Sequence, residues 1–189
     1  MVSPFMPNGT LLQYVSSPRR SCSIDEKLQL LYQVSSGMTY LHEEKLLHGD
    51  LKAQSVLLDE SFRAVITDFG FAEANSAPEL RAPRTVDHMA PEMLDDRRPC
   101  RPTAKTDIYA FAITMYEVLC SGGPIWVGRD GQVIDESQIA LYCRRGQRPK
   151  RLDDVPDDIW MLMEECWRDN PSERLFFVEI LVRLEDYRQ

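Results

Sequence analysis

Asp50, Lys52 and Asp68 are the residues of this sequence whose types and spacing could do chemistry. Each aspartate follows an apolar, strand-like stretch, so a hairpin between them would bring both carboxylates to the same edge. One carboxylate could then act as a base, the other could bind a divalent metal ion, and the Lys52 ammonium could hold an anion. The alternative is that all three are solvated loop charges, and their spacing alone does not decide between the two.

Two stretches predict the elements that would position these residues. SIDEKLQLLYQVSSGMTYLHEE (23–44) has apolar residues near helical spacing and begins with Ser23 or Asp25 as a possible cap, which predicts a long amphipathic helix. SVLLDESFRAVITDFG (55–70) places two short apolar runs around a polar centre, which predicts a small β-hairpin whose second strand ends at 68–70. His48, just before Asp50, is by itself more typical of a packed side chain than of a catalyst.

The remaining sequence predicts a mainly α fold with a little β structure. TDIYAFAITMYEVLCSGG (106–123) is apolar almost all round, as in a helix buried in a core that ends at its two glycines. Three further helices are predicted within 135–146, 156–171 and 171–189, the last two opening near acidic or Ser/Pro caps. Residues 71–102 show little periodicity and are predicted as loop and short helix.

Composition narrows the class of protein further. With 189 residues and 43% hydrophobic content, we expect one compact unit. The net charge of -8 argues against a nucleic-acid partner. Five scattered cysteines suggest neither a zinc site nor a disulfide framework and fit a reducing compartment. The longest apolar run is too short to span a membrane and contains Glu117, and the N-terminus lacks the basic flank of a signal peptide, so a cytoplasmic location is predicted.

Five motifs follow one another along the chain: HGDLKAQS (48–55), DFG (68–70), APE (90–92), Asp107 and CWRDNPSER (166–174). In this order and spacing they resemble the C-terminal lobe of a eukaryotic protein kinase, over essentially the whole chain. Lys52, HMAPE and CWRDNPSER resemble the tyrosine-kinase-like branch of the serine/threonine kinases. The resemblance implies that 1–189 are a partial kinase domain, hinge and C-terminal lobe only, with a helical bundle and a short β-hairpin. It also implies ATP-dependent phosphoryl transfer to protein hydroxyls.

The resemblance assigns a role to each residue of the first group. Asp50 matches the aspartate that orients the substrate hydroxyl and accepts its proton, and Lys52 matches the lysine that offsets charge on the migrating phosphoryl group. Asp68 matches the ligand of the magnesium ion that bridges the nucleotide phosphates. Ser55 replaces the asparagine that holds a second magnesium, and its hydroxyl is a shorter and weaker ligand for that ion.

Further residues are matched to nucleotide binding and to structure. On the nucleotide side, the resemblance assigns Leu57 to the floor of the adenine pocket, Met6 to the hinge and Ser3 to the gatekeeper position. Thr85 matches the threonine that braces the catalytic aspartate and lysine. Residues with a structural role by resemblance are His48, Phe69, Thr85, Glu92, Asp107 and Arg174, of which Glu92 and Arg174 are expected to form a buried ion pair.

Two departures from the family pattern limit these expectations. Gly49 replaces the arginine that grips a phosphorylated activation loop in many kinases. The chain is expected to begin at the end of the fifth small-lobe strand, without the glycine-rich loop and the ATP-anchoring lysine, so ATP and Mg²⁺ binding should be weak or absent in the isolated chain.

Two functions therefore stay open. The chain is either the catalytic lobe of a serine/threonine kinase acting on a protein substrate, or a pseudokinase-like module that binds a partner protein. The basic run RRGQRPKR (144–151) could dock such a partner, although a charge run of this kind is more typical of a solvated loop.

Overall fold

The computed structural model describes residues 5–69, 85–94, 100–128 and 130–187. These residues form six α-helices: α1 (Leu11–Val15), α2 (Ile24–Glu43), α3 (Ala104–Leu119), α4 (Glu136–Arg144), α5 (Asp157–Cys166) and α6 (Phe177–Arg183). One antiparallel sheet joins β1 (Val56–Leu58) to β2 (Ala64–Ile66), with Val56 opposite Ile66. Short 3₁₀ turns lie at Ala53–Ser55, Val86–His88, Pro91–Met93, Pro171–Glu173 and Glu185–Tyr187. The predicted mainly helical fold with one small hairpin is confirmed.

Helix α2 begins where its sequence predicts. The Ser23 hydroxyl accepts from the Glu26 amide at 3.2 Å, and the Glu26 carboxylate accepts from the Ser23 amide at 2.9 Å, which completes a capping box. From this start the helix runs for 20 residues and buries a face that includes Leu28, Leu31 and Met38. Its apolar face therefore forms one wall of the core.

The hairpin is seated directly on α2. The Ala64 amide donates to the Gln33 side chain at 2.7 Å, and a Cβ added to Gly37 would lie 2.7 Å from the Ile66 side chain. Gly37 therefore allows β2 to approach the helix more closely than any larger residue would. The Thr67 amide then bonds to the Ser55 carbonyl at 2.9 Å, which fixes the chain just before Asp68.

Helix α3 lies at the centre of the core, as its all-round apolar pattern predicts. Thr103 caps its start through the Thr106 amide at 3.2 Å, and Phe111, Ile113 and Met115 have no exposed surface. The helix packs against α1, α2 and α5. Within the described ranges, no helix is long and apolar enough to cross a membrane.

Three elements differ from the sequence-based expectation. Strand β2 ends at Ile66, before the predicted end at 68–70. Helix α1 was not predicted, although Thr10 and Gln13 form a capping box that its sequence displays. Helix α6 begins only at Phe177, not near the Ser/Pro pair at 171–172. There the Asn170 side chain accepts from the Ser172 amide and caps the start of a 3₁₀ turn, and Arg174 follows that turn in extended conformation.

The contacts of Arg174 account for that extended segment. Its guanidinium is fully buried, and its N–H groups donate to a carboxylate and to backbone carbonyls. It pairs with the Glu92 carboxylate through two bonds of 2.7 and 2.8 Å. It also donates to the carbonyls of Arg168 at 2.8 Å and Lys105 at 2.9 Å. The predicted ion pair is thus present, and it ties the Pro91–Met93 turn to the start of α3 and to the chain before α6.

We predict that Arg174→Ala lowers the free energy of unfolding by about 3 kcal/mol, because it strands the Glu92 carboxylate and several buried carbonyls. The matched control is Arg183→Ala, which removes an exposed pair with Glu165 at 3.5 Å and should cost no more than about 1 kcal/mol. Urea titration of both variants measures the difference. Equal costs for the two substitutions would contradict the structural role of Arg174.

Candidate active site

The loop that carries Asp50 is fastened to the core by the carboxylate of Asp107. This side chain is only 1% exposed and accepts from the backbone amides of His48 and Gly49, each at 2.9 Å, and from the His42 ring at 3.0 Å. Gly49 has a φ of +81°, in the left-handed region that favours glycine. The first turn of α3 and the last turn of α2 therefore hold the backbone just ahead of Asp50.

His48 links this loop to the end of the hairpin. Its Nε2 donates to the Thr67 carbonyl at 2.9 Å, and its Nδ1 accepts from the Asp50 amide at 3.3 Å. Burial lowers the pKa of His48, and the nearby Asp107 carboxylate only partly offsets that effect. A neutral imidazole with its proton on Nε2 satisfies both bonds, so His48 acts as a packed connector.

Asp50, Lys52 and Thr85 form one closed hydrogen-bonded group. Lys52 Nζ donates to Asp50 Oδ2 at 2.9 Å and to Thr85 Oγ1 at 2.6 Å. The Thr85 amide donates to Asp50 Oδ1 at 3.3 Å. The side chains of Asp50 and Lys52 stay partly exposed, so each can still reach a group in solvent. The chain segment that contains Thr85 thus braces both charged residues from one side.

Asp68 follows Thr67 at the end of β2, with an exposed side chain and a positive φ of 59°. Within the described residues, no hydrogen bond or ion pair occupies its carboxylate. The carboxylates of Asp50 and Asp68 both raise the pKa of His48, so both lie near this imidazole. A free carboxylate of this kind fits Mg²⁺, which proteins bind through one or two carboxylates together with phosphate oxygens and water. No cluster of three His, Cys, Asp or Glu side chains suited to a metal occurs in the described ranges.

Ser55 lies beside this group but points inward. Its side chain is 2% exposed, and its hydroxyl accepts from the Lys52 amide at 3.0 Å and donates to the Lys52 carbonyl at 2.8 Å. The hydroxyl therefore shapes the loop that holds Lys52. Its assignment as a metal ligand stays a prediction.

Of the residues assigned to the nucleotide, the structure describes Met6 and Leu57. Thr10 pairs with Leu57 in an antiparallel bridge, and the Leu58 amide donates to the Gly9 carbonyl at 2.9 Å. This pairing places Gly9 and Thr10 alongside β1, shortly after Met6 in the chain, and both Met6 and Leu57 are partly exposed. Ser3 and Gly70 lie outside the described residues.

Glu117 holds the other end of the loop, a contact that sequence reasoning missed. Its carboxylate accepts from the Ala53 amide at 2.8 Å and contacts the His88 ring at 3.3 Å. Burial by itself would raise the pKa of Glu117, but the His88 and Ala53 bonds outweigh it and hold that pKa below its usual range. The sequence feature that could have indicated this contact is the position of Glu117 within an apolar stretch of helix.

The basic run 144–151 is largely occupied by contacts within the chain. Arg148 pairs with Asp169 and donates to the Trp167 carbonyl, and Arg151 pairs with Asp157. These bonds support the interpretation of the run as a solvated, structural loop.

Comparison with known proteins gives one consistent result. A family model described as protein tyrosine and serine/threonine kinase matches residues 1–184. The chain is similar to proteins named dual serine/threonine and tyrosine protein kinase. The one from Tetraodon nigroviridis is 36% identical over 152 residues, which are 80% of this chain and 16% of that protein. Those from Danio rerio and Bos taurus are 35% and 34% identical over 80% of this chain. The chain spans only 16 to 17% of the length of these three relatives.

We predict that Asp107→Asn loosens the loop. An asparagine has one acceptor oxygen, whereas His48 and Gly49 donate to different oxygens, so the new amide group must face a backbone N–H. The expected cost is about 1–3 kcal/mol of unfolding free energy, with faster hydrogen exchange at these two amides. The exposed Asp153→Asn is the control, and unchanged exchange in Asp107→Asn would contradict the prediction.

The lowered pKa of His48 predicts acid sensitivity near neutral pH. Unfolded histidine titrates near 6.5, whereas folded His48 stays neutral below that value, so the unfolded state binds the proton first. The contribution of His48 to stability is therefore complete above about pH 6.5 and declines as the pH falls through the folded pKa. NMR titration of the imidazole should place its pKa below 6.5, and a value at or above 6.5 would refute the buried neutral form.

Proposed function

The chain belongs to the family of protein tyrosine and serine/threonine kinases, and on that premise we propose that it supplies the hinge and catalytic lobe of a kinase domain that phosphorylates protein hydroxyls with ATP. The observation that carries this proposal is the group formed by Asp50, Lys52 and Thr85, in which an ammonium bridges a carboxylate and a hydroxyl. A binding module would have no need to hold these groups together at a partly open surface.

Asp50 would orient the hydroxyl of the protein substrate and take its proton. Each of its carboxylate oxygens already accepts one bond, from Lys52 or from Thr85, which leaves acceptor positions free. Because both partners and the backbone are fixed, an incoming hydroxyl would meet a carboxylate of defined direction. This arrangement supports the role of general base and of positioning group.

Lys52 would offset negative charge on the group being transferred. Its ammonium has three protons, and only two are used in the bonds to Asp50 and Thr85. The third can point to a phosphoryl oxygen above Asp50 without breaking either bond. Holding the cation in place beforehand removes the cost of reorganising it during the reaction.

Asp68 would hold Mg²⁺ through its free, exposed carboxylate, with Ser55 as a second and weaker ligand. When bound, ATP with its magnesium supplies the transferable phosphoryl group and the positive charge that offsets its oxygens. Leu57 and Met6 would contact the adenine, and Ser3 would limit the depth of its pocket. Leu57 lies on β1, and the segment that follows Met6 pairs with it through Thr10, which supports a nucleotide lying along β1.

We further propose serine and threonine as the acceptors, on the basis of Lys52 within the loop. The relatives carry names that include tyrosine, so a panel of peptides that differ only in Ser, Thr or Tyr at one position distinguishes the two specificities. Preference for tyrosine would overturn this part of the proposal and leave the role of Asp50 intact.

An alternative function is that of a protein-binding module. Phe5 and Phe69, at 87% and 51% exposure, present apolar surface near the cleft that another protein segment could cover. The inward-facing Ser55 hydroxyl also favours this alternative, because it weakens the second metal position. A small lobe would cover the same surface, so the exposure alone does not favour the module over the kinase.

The test is transfer of radiolabelled phosphate from ATP to peptides, with the 189-residue chain alone and fused to a kinase small lobe. We predict no measurable transfer by the chain alone, because a cleft open on one side leaves water to solvate the phosphates and the metal. The fused protein should transfer phosphate, and Asp50→Asn should lower its rate by about 100-fold or more. The exposed Asp153→Asn serves as the control and should leave the rate unchanged.

Two outcomes would count against the proposal. If the fused protein binds ATP but Asp50→Asn does not change its rate, Asp50 is not the positioning base. If it neither binds ATP nor transfers phosphate while a partner protein binds the cleft surface, the binding module is the better description.

A further inference from the structure

A bowl of about 430 Å³ lies between the connection of α1 to α2 and the turn after α3. Its lining is mainly polar and includes Ser17, Arg19, Arg20, Ser21, Cys22 and Ser121. None of these residues belongs to the proposed active site. The bowl is therefore separate from the proposed active site.

A buried lysine lies beneath the floor of this bowl. Lys27, on the first turn of α2, is 7% exposed, and its ammonium donates to Ser121 Oγ at 2.8 Å and to the Leu119 carbonyl at 3.0 Å. Burial of the Cys22 thiol and the neighbouring Glu26 carboxylate raise the pKa of Cys22, and the Lys27 charge lowers it by a smaller amount. Because Ser121 lines the bowl, Lys27 is connected to the lining through its hydrogen bond with that residue.

This charge is not neutralised by a carboxylate. In the part of the chain that the structure describes, no carboxylate oxygen lies within 4.0 Å of Lys27 Nζ. Its partners are dipoles only, namely a hydroxyl and a carbonyl at the C-terminus of α3. A buried ammonium without an opposite charge is costly. The Glu26 carboxylate, which acts on Cys22, is already paired with Arg20, so the described contacts provide no counter-charge for Lys27.

Two arginines add positive charge at the rim of the bowl. Arg20 is already engaged, since it pairs with Glu26 at 3.1 Å and stacks over the Tyr14 ring. Arg19 is exposed, and no contact with another described residue holds its guanidinium. Arg19 can therefore turn toward a ligand in the bowl without breaking an existing interaction.

The wall formed by the turn after α3 is held in place by close packing. Gly122 has a φ of +71°, and an added Cβ would lie only 3.0 Å from the side chains of both Leu12 and Ser16. The turn that carries Ser121 is thus pressed against the end of α1, with no room for a side chain at Gly122. The bowl is a built feature of the fold, with walls from two different parts of the chain.

We propose that this bowl binds a phosphate group, either as inorganic phosphate or as a phosphate monoester. Phosphate matches the lining because its oxygens can accept hydrogen bonds from the hydroxyls of Ser17, Ser21 and Ser121. It also carries negative charge, which the described partners of Lys27 do not provide. The Arg19 guanidinium would complete the site with paired N–H donors. A bound phosphate would link the α1–α2 connection to the C-terminal turn of α3. This site lies outside the proposed active-site cleft, so a test of phosphate binding here does not depend on kinase activity.

The test follows thermal unfolding of the 189-residue chain while sodium phosphate is increased, with sodium chloride at matched ionic strength as the reference. Binding to the folded state raises Tm in a saturable manner. We expect a saturable rise with phosphate beyond that with chloride, together with phosphate-dependent shifts of the Ser17, Ser21 and Ser121 amide resonances. Phosphoserine and a phosphoserine peptide are added in separate arms, and the one that binds most tightly identifies the source of the phosphate group.

Three variants locate the binding. Arg19→Ala, at an exposed position that should not disturb folding, is expected to weaken phosphate binding at least fivefold. Lys27→Met should abolish the saturable rise, and Arg145→Ala is the matched exposed control in the basic run, which should bind as the parent does. A phosphate response that is equal in Arg19→Ala and the parent would overturn the proposal, since it would place the anion elsewhere, for example in the nucleotide cleft. A response no larger than that with chloride would overturn it as well.

Discussion

The buried carboxylate of Asp107 is the contact on which the geometry of the proposed active site depends. It lies on the first turn of α3, the helix at the centre of the core, and it accepts two consecutive backbone amides from the loop. Two bonds to adjacent peptide units fix the position and the direction of the backbone. Asp50 follows immediately, so the backbone just before its carboxylate is held by contacts with an almost entirely buried helix, although the carboxylate is itself partly exposed.

The same helix fastens the loop a second time, through Glu117 near its other end. Asp107 holds the chain before Asp50, and Glu117 holds Ala53 just after Lys52. Both anchors belong to α3, so this one helix restrains both ends of the short loop segment between them. His48 then extends this support to the hairpin. The charged residues are thus positioned from the core outward, although they are close together in sequence.

Sequence patterns could predict the elements whose stability is local, and less of what depends on tertiary contacts. Helix α2 shows its cap and its period, and the hairpin shows two apolar runs around a turn, so both were predicted. The predicted start of α6 was wrong because Arg174 must stay extended to reach Glu92, which is distant in sequence. In the site, the residue types at 50, 52 and 68 suggested the proposed chemistry, which stays a prediction, whereas the pairing of Glu117 with Ala53 could not be inferred from spacing.

Three cations in the described chain illustrate how the surroundings of a charge decide what it can bind. Arg174 is fully paired with Glu92 and with carbonyls, so it has no capacity left for a ligand and acts only in the structure. Lys52 shares its proton donors between Asp50 and a hydroxyl, which leaves it able to meet an incoming phosphoryl group. Lys27 has dipoles but no described carboxylate, so among the three it gains most from an external anion. The degree of neutralisation, more than the residue type, therefore separates a structural cation from a binding one.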